Sequence, residues 1–583
     1  MTTSQSHTRT LIAIALAASV AGAQSIAAQC PAMTTAALPL TYAGLPTVAE
    51  ISACDLMTRL YAFANDSMGG RRVGTADHER ATNYIAAEAK RLGLKPAGDN
   101  GTYFQLLPLV ARALDMTSTI VVDAVTLKAG EDFVATTSAA QAADFKDLKI
   151  VYGGTFLDTT TKLFTIPPSG TIVVFAPAVQ GLDQPTIQRT AKGHEWVTWY
   201  VAFRNRGSAA AQINPNALRA ATNPNNTLML VDHGAPITLT VTTAALQKMF
   251  GGSLDGVAAG TSSKPLTLNL KFVDTPKISR NVIAIVPGTD AKLKDEYVAL
   301  GAHSDHIGLA RGPADHDSVR ATHMGSRAGT EGAASRKQTT EDEEYDRIRF
   351  LKDSLHKARP VRLDSINNGA DDGGSGTVAL LEIAESLTKG ALKPKRSVLF
   401  VWHSGAEGTP ALSGSNWLVD HPTVARDSIV AEFDVDMIGR GEKTDEVGIT
   451  ADDIPRYGNV DFLEVIGAKR QSSELGALIE QSNVSAKTAL KLDYTADAEG
   501  HPEGLFCRND ASAYGRLGIP AALFTTGYHS DYRQVTDEPQ YVQYQHMARI
   551  TRLVGASTLK IANLDHRLTA DKPKPDPKAI CKP

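Results

Sequence analysis

Two short segments constrain the fold of this chain more than any others: GAHSDHIG at 301–308 and NNGADDGGSG at 367–376. Each sets acidic or histidine side chains where an apolar run gives way to a loop. The run EYVALGAH at 296–303 reads as a buried strand that delivers His303 and Asp305 at its carboxyl end. The second segment places Asp371 and Asp372 in a glycine-rich loop just ahead of the helical run TVALLEIAESL at 377–387. Strand, polar loop, helix is the repeating unit of α/β proteins, and their open sheets bind ligands outside the carboxyl ends of the strands. The expected fold class is α/β, with a mostly parallel central sheet flanked by helices.

Two further apolar runs end in the same manner. SVLFVWHSGAEG at 397–408 leads to Glu407, and SIVAEFDVDMIGR at 428–440 leads to Asp436. A polar residue after one strand is commonplace. Four such ends in one domain, His303, Asp372, Glu407 and Asp436, make a set of nitrogen and oxygen donors suited to zinc.

These segments resemble the co-catalytic zinc peptidases that include bacterial leucyl aminopeptidases, aminopeptidase S and glutamate carboxypeptidase. The resemblance rests on RNVIAIVPG at 280–288, AHSDH at 302–306, GADDGGSG at 369–376, GS at 414–415 and DMIGR at 436–440. It spans about 276–565, and 69–105 resembles the helix that opens such domains. The resemblance implies a peptide substrate and two zinc ions. His303 would bind the first zinc, Asp372 would bridge both (Asp371 is the neighbouring alternative), and Asp436 would complete the first site. Asp305 would orient His303, since a metal-bound imidazole needs a partner on its other nitrogen. Glu407 would bind the second zinc.

Two departures from the family pattern fall on the second metal and on the general base. Relatives carry two adjacent glutamates after the strand, whereas this chain has Ala406 and Glu407. They carry a late histidine four residues before an aspartate, where this chain has Arg533 before Asp537. His529, four positions earlier, is either the replacement ligand or an ordinary loop histidine. The centre would then hold two zincs or one. With one, Glu407 is free to act as the base, and Arg533 supplies positive charge toward a substrate carbonyl or carboxylate. Tyr528 is placed to donate to an oxyanion. The implied function is a zinc-dependent exopeptidase, most simply an aminopeptidase. A carboxypeptidase or dipeptidase of the same clan is the alternative, and a catalytically impaired relative serving as a binding or scaffold protein is a third reading.

At 583 residues the chain should hold two or three domains. Lys plus Arg number 59 against 63 for Asp plus Glu, so the balance of −4 gives no reason to expect nucleic acid or a membrane surface as partner. The expected division is a signal peptide at 1–28, an N-terminal part of the peptidase domain at 29–139, a β-rich insertion at 140–275, the metallopeptidase domain at 276–565 and a tail at 566–583. The signal reading rests on Arg9 followed by the apolar run at 11–23, which is too short to span a membrane. It implies a periplasmic or secreted protein without a membrane anchor. Four cysteines suit that compartment, and Cys30–Cys54 with Cys507–Cys581 are the local pairings among three possible. Within 140–275, short apolar runs alternate with turns, as in LKIVYGG and GTIVVFAP, around a helix-like stretch at 194–210. Relatives carry a protease-associated domain at this point, and the segment resembles one. Residues 311–365 are polar, charged and read as a long loop beside the site.

Overall fold

The computed structural model describes residue 30 and residues 38–136, 142–155, 172–176, 199–203, 228–230, 238–254, 256–326, 341–358, 360–407, 412–443, 445–449, 455–498, 500–501, 503–577 and 581. The signal segment expected at 1–28 lies outside them.

A nine-stranded sheet forms the centre. Its strands are β1 (Lys95–Pro96), β2 (Phe104–Leu106), β3 (Arg280–Val286), β4 (Tyr297–His303), β5 (Ser397–His403), β6 (Ile429–Val435), β7 (Phe462–Ile466), β8 (Lys491–Asp493) and β9 (Ala521–Thr525). They lie in the order β1-β3-β5-β4-β6-β9-β7-β8, with β2 also on β3. The sheet is mixed, which corrects the expected mostly parallel one. Only β5, β4, β6 and β9 form a continuous parallel centre. The ladders β1–β3, β2–β3, β3–β5 and β7–β9 are antiparallel. The apolar runs at the centre were legible because β5, β6 and β9 are buried along their whole length. The direction of the flanking strands depends on connections that leave no such trace.

Helices cover both faces. They are α1 (Ala53–Phe63), α2 (Ala76–Arg91), α3 (Gly376–Lys389), α4 (Ser413–Asp420), α5 (Ala511–Gly515) and α6 (Tyr544–Ala562). Helices α1, α3 and α6 pack on one another, and α3 and α6 on β4. On the other face Leu418 and Val419 of α4 and Tyr514 of α5 join Ile283, Ala299, Leu399 and Val401 in one cluster. This division follows the alternation of side chains across a strand. Arg59 of α1, buried, holds Glu88 of α2 at 2.8 Å and Glu382 of α3 at 3.1 Å, so one guanidinium fastens three helices.

Two smaller sheets, of five and six strands, lie between Leu109 and Pro276. A shared core of Leu114, Ile120, Phe133, Leu239, Leu246 and Leu268 holds them. Their strands therefore begin well before residue 140. The stretch expected as a helix at 194–210 contains a strand instead, Trp199–Phe203, paired in parallel with Ile172–Ala176 and Thr238–Val241. Aromatic and β-branched residues there suit a pleated surface better than a helix. The segment expected as a loop is also structured. Gly308–Asp315 pairs antiparallel with Leu363–Asn367, and helices His316–Ser326 and Glu341–Ala358 stand beyond them. The second helix is rich in straight-chain Glu, Lys, Arg and Leu, which favour helix. No helix among the described residues is long and apolar enough to cross a membrane.

Candidate metal centre

Two carboxyl ends of the central strands and one loop meet at one point. His303 closes β4, Asp436 follows β6, and Asp372 enters from the loop ahead of α3. His303 Nε2 lies 3.2 Å from Asp372 Oδ1 and 3.2 Å from Asp436 Oδ1. A tetrahedral ion with zinc-ligand arms near 2 Å separates its ligand atoms by about 3.3 Å, so this spacing suits one. Burial works against a charge on His303, yet Asp436 and Asp372 outweigh it and raise the ring's pKa well above its ordinary value. Two carboxylates thus demand a cation at this point.

Glycine makes the approach possible. Gly373 sits at φ 77°, and a β-carbon there would lie 2.5 Å from His303 Cε1. Between the two aspartates the chain turns so that they face opposite ways. Asp372 faces His303, whereas Asp371 Oδ1 accepts the Gly439 amide at 2.6 Å. The amides of Asp371 and Asp372 both donate to the carboxylate of Asp537, at 3.0 Å each. Asp537 therefore fixes the register that brings Asp372 to the centre.

The other expected site residues fall as follows. Asp305 meets His303 through its backbone carbonyl, 3.1 Å from Nδ1, while its carboxylate is 3.9 Å away. That carboxylate instead accepts the amides of Gly405, Ala406 and Glu407, at 2.8, 3.2 and 3.1 Å. It holds the loop that presents Glu407. Glu407 stands beside Asp372 and pairs with Arg533 at 2.7 Å. Burial and Asp372 push its carboxyl up to about 8, against the pull of Arg533 and His303. His529 is not brought to the centre; its Nε2 lies 3.3 Å from Asp371 Oδ2. Tyr528 lines the recess beside the centre, its ring against Tyr532 at 4.7 Å and its hydroxyl pKa pushed up to about 12 by burial.

Two donor sets suited to an ion stand side by side among the described residues: His303, Asp372 and Asp436, then His306, Asp372 and Glu407. They share Asp372. His306 was not expected in the site. It is buried, both ring nitrogens lack a hydrogen-bond partner, and Nδ1 lies 3.5 Å from the equally unpartnered Asp372 Oδ2. Its position three residues after His303 was the available signal. Arg71 is a second unexpected contributor. Fully buried, it donates to the carbonyls of Ser304 at 3.1 Å and Gly369 at 2.8 Å. It thereby clamps the two loops that carry His303 and Asp372. Nothing in the GGRR segment at 69–72 foretells that reach across more than two hundred residues.

The recess beside the centre measures about 210 Å³ and is lined by Asp434, Asp510, Asn509, Arg508, Tyr528 and Leu412 among others. None of its described lining comes from 109–276. The donor set fits a divalent ion: orphaned buried oxygens, a histidine, and spacing that matches tetrahedral arms.

Residues 352–558 match the sequence profile of peptidase family M28. The chain is similar to the structure of BSAP, a zinc aminopeptidase from Bacillus subtilis, at 15% identity over 88% of this chain and 95% of that one, with a TM-score of 0.42. It is similar to an aminopeptidase from Aneurinibacillus sp. strain AM-1 at 16% identity over 90% and 97%, with a TM-score of 0.44. A peptidase M28 precursor from Shewanella amazonensis SB2B aligns at 15% identity over 90% and 98%, with a TM-score of 0.40. No curated protein matches the chain. The stretch matched by the family M28 profile includes the loops that carry Asp372, Glu407, Asp436 and Arg533.

Proposed function

We propose that the chain is a zinc-dependent aminopeptidase that removes the N-terminal residue of peptides in a periplasmic or secreted setting. The observation that carries this reading is the join between the His303–Asp372–Asp436 set and a recess the size of one side chain. His303, Asp372 and Asp436 would hold the ion. When bound, zinc supplies Lewis-acid activation of a water and of the scissile carbonyl. Glu407, its carboxyl near 8, can take and return a proton close to neutral pH. Tyr528 would donate to the oxygen that gains charge as the carbonyl is attacked. In the recess Asp434 Oδ1 and Asp510 Oδ1 are buried without a partner, and both suit a substrate ammonium. This acidity favours an aminopeptidase. The carboxypeptidase reading gains nothing from Arg533, whose guanidinium is engaged by Glu407. The β-rich residues at 109–276 would be an inserted protease-associated domain standing apart from the recess.

The test is hydrolysis of aminoacyl p-nitroanilides by the zinc-loaded protein, with and without chelator, beside the N-acetylated substrates. Chelator should abolish turnover and acetylation should prevent it. Turnover that survives chelation, or acetylated substrates cleaved as fast as free ones, would sink the proposal. Asp436→Ala should lower kcat by at least about 10²-fold, the scale on which loss of an electrostatic contributor acts.

A further inference from the structure

Two donor sets share Asp372, and only one of them already has a cation on it. Like those of the first set, the ligand atoms of the set His306–Asp372–Glu407 all lie within 4.8 Å of one another. Taken alone it would accept a second ion. Arg533, however, is seated on it. Nη2 of Arg533 lies 2.7 Å from Glu407 Oε2, and the negative charge of Asp372 acts on the same guanidinium. The anchorage is built in. Arg533 adopts φ 56°, a left-handed conformation that non-glycine residues rarely take, and its guanidinium carbon stands 5.0 Å from the Tyr532 ring. The backbone of Glu407 is fixed in turn by Asp305.

We infer that Arg533 is the resident cation of the second donor set, so that this centre holds one zinc and not two. A divalent ion within ligand reach of Glu407 would stand against a permanent positive charge in a partly buried site, where like charges are poorly screened. Among the described residues the ion pairs of the first set join His303 to Asp372 and Asp436, with no arginine or lysine paired to Asp436. His306, left without an ion, stays beside Asp372 Oδ2 as a positioning residue. The inference rests on the zinc-peptidase reading and narrows it to a one-metal centre in which an arginine stands in for the second ion. A guanidinium donates hydrogen bonds in a fixed plane and cannot activate water. Proton handling is thereby left to Glu407.

Zinc per chain decides it, counted by native mass spectrometry of the full-length protein after dialysis against trace zinc. Expected counts are one for the wild type, one for Arg533→Lys, which keeps the charge, and two for Arg533→His, which removes it and adds a neutral donor. Each variant is first checked for a native circular dichroism spectrum and melting transition. Arg533→Gln serves as the second variant, and a second zinc should bind it more weakly. Two zincs on the wild type would overturn the inference, and a fall to one in His306→Ala would then identify His306 as a true ligand. One zinc on wild type, Arg533→His and Arg533→Gln alike would also overturn it, since Arg533 would not be what excludes the second ion. No zinc on the wild type would sink the zinc-peptidase reading itself, a failure distinct from the other two.

Discussion

Arg71 shows what sequence reading reaches at the scale of single residues and where it stops. His303 and Asp436 were legible because they stand at the ends of apolar runs, and Asp372 because it sits in a glycine-rich loop ahead of an apolar helix. Arg71, Asp537 and His306 were not, because their partners lie far away in the chain or their ring reaches the site only through a loop turn. Arg71 is fully buried and its pKa is lowered to about 10 by burial, so it stays charged at neutral pH and is held by carbonyls and nearby carboxylates. Removing one partner from such a buried charged network costs about 3–5 kcal/mol. Arg71→Met should lose about that much in urea unfolding and should also weaken zinc retention, because both ligand loops are freed. A variant with unchanged zinc affinity would mean that the loops hold themselves. His303 yields a second expectation. Its pKa is raised despite burial, by Asp436 and Asp372, so in the metal-free protein the ring carries a proton that zinc must displace. Zinc affinity should therefore fall as pH is lowered and rise as the ring is deprotonated. A competition titration with a coloured chelator at several pH values would show it, and a flat profile would contradict it.

At the scale of elements, the tightest junction is between α3 and β6. A β-carbon on Gly376 would sit 1.8 Å from the Val435 carbonyl oxygen, so the first turn of α3 packs directly on the strand that ends beside Asp436. Overpacked positions typically cost about 1–3 kcal/mol, and here the obstacle is backbone that cannot rotate away. Gly376→Ala should therefore lose about 3 kcal/mol in chemical denaturation and displace Asp372 from Asp436. A loss under about 1 kcal/mol would show that the helix slides without cost. The sequence marked α3 well, through a glycine-rich loop followed by an apolar helix. It marked the excursion at 308–367 badly, because charged residues crowd the helical spacing of Tyr345, Ile348, Leu351 and Leu355. The strand at Trp199–Phe203 was misread for a related reason: a short aromatic run fits helix and strand alike until its neighbours are known.

For the whole molecule, the question is what ties the C-terminal tail to the centre. None of the four cysteines, all among the described residues, is free. Cys507–Cys581 closes a loop of 74 residues, and Cys507 also lines the recess beside Arg508, Asn509 and Asp510. The local pairing was legible from spacing; its place at the recess was not, because only the folded turn Leu505–Arg508, ahead of α5, brings Cys507 there. By the chain-entropy account a bond closing a loop of this length stabilises by about 4 kcal/mol, with measured values commonly nearer 2–4. Cys581→Ser should thus lower the melting temperature by a few degrees, about 1 °C per kcal/mol for a chain of this length. It should also raise KM more than it lowers kcat, because the bond steadies Cys507, which lines the recess beside Arg508, Asn509 and Asp510. Adding reductant to the wild type should reproduce both effects. If the melting temperature falls while KM stays fixed, the bond stabilises the tail alone and the recess is shaped by Tyr528, Tyr532 and Arg533.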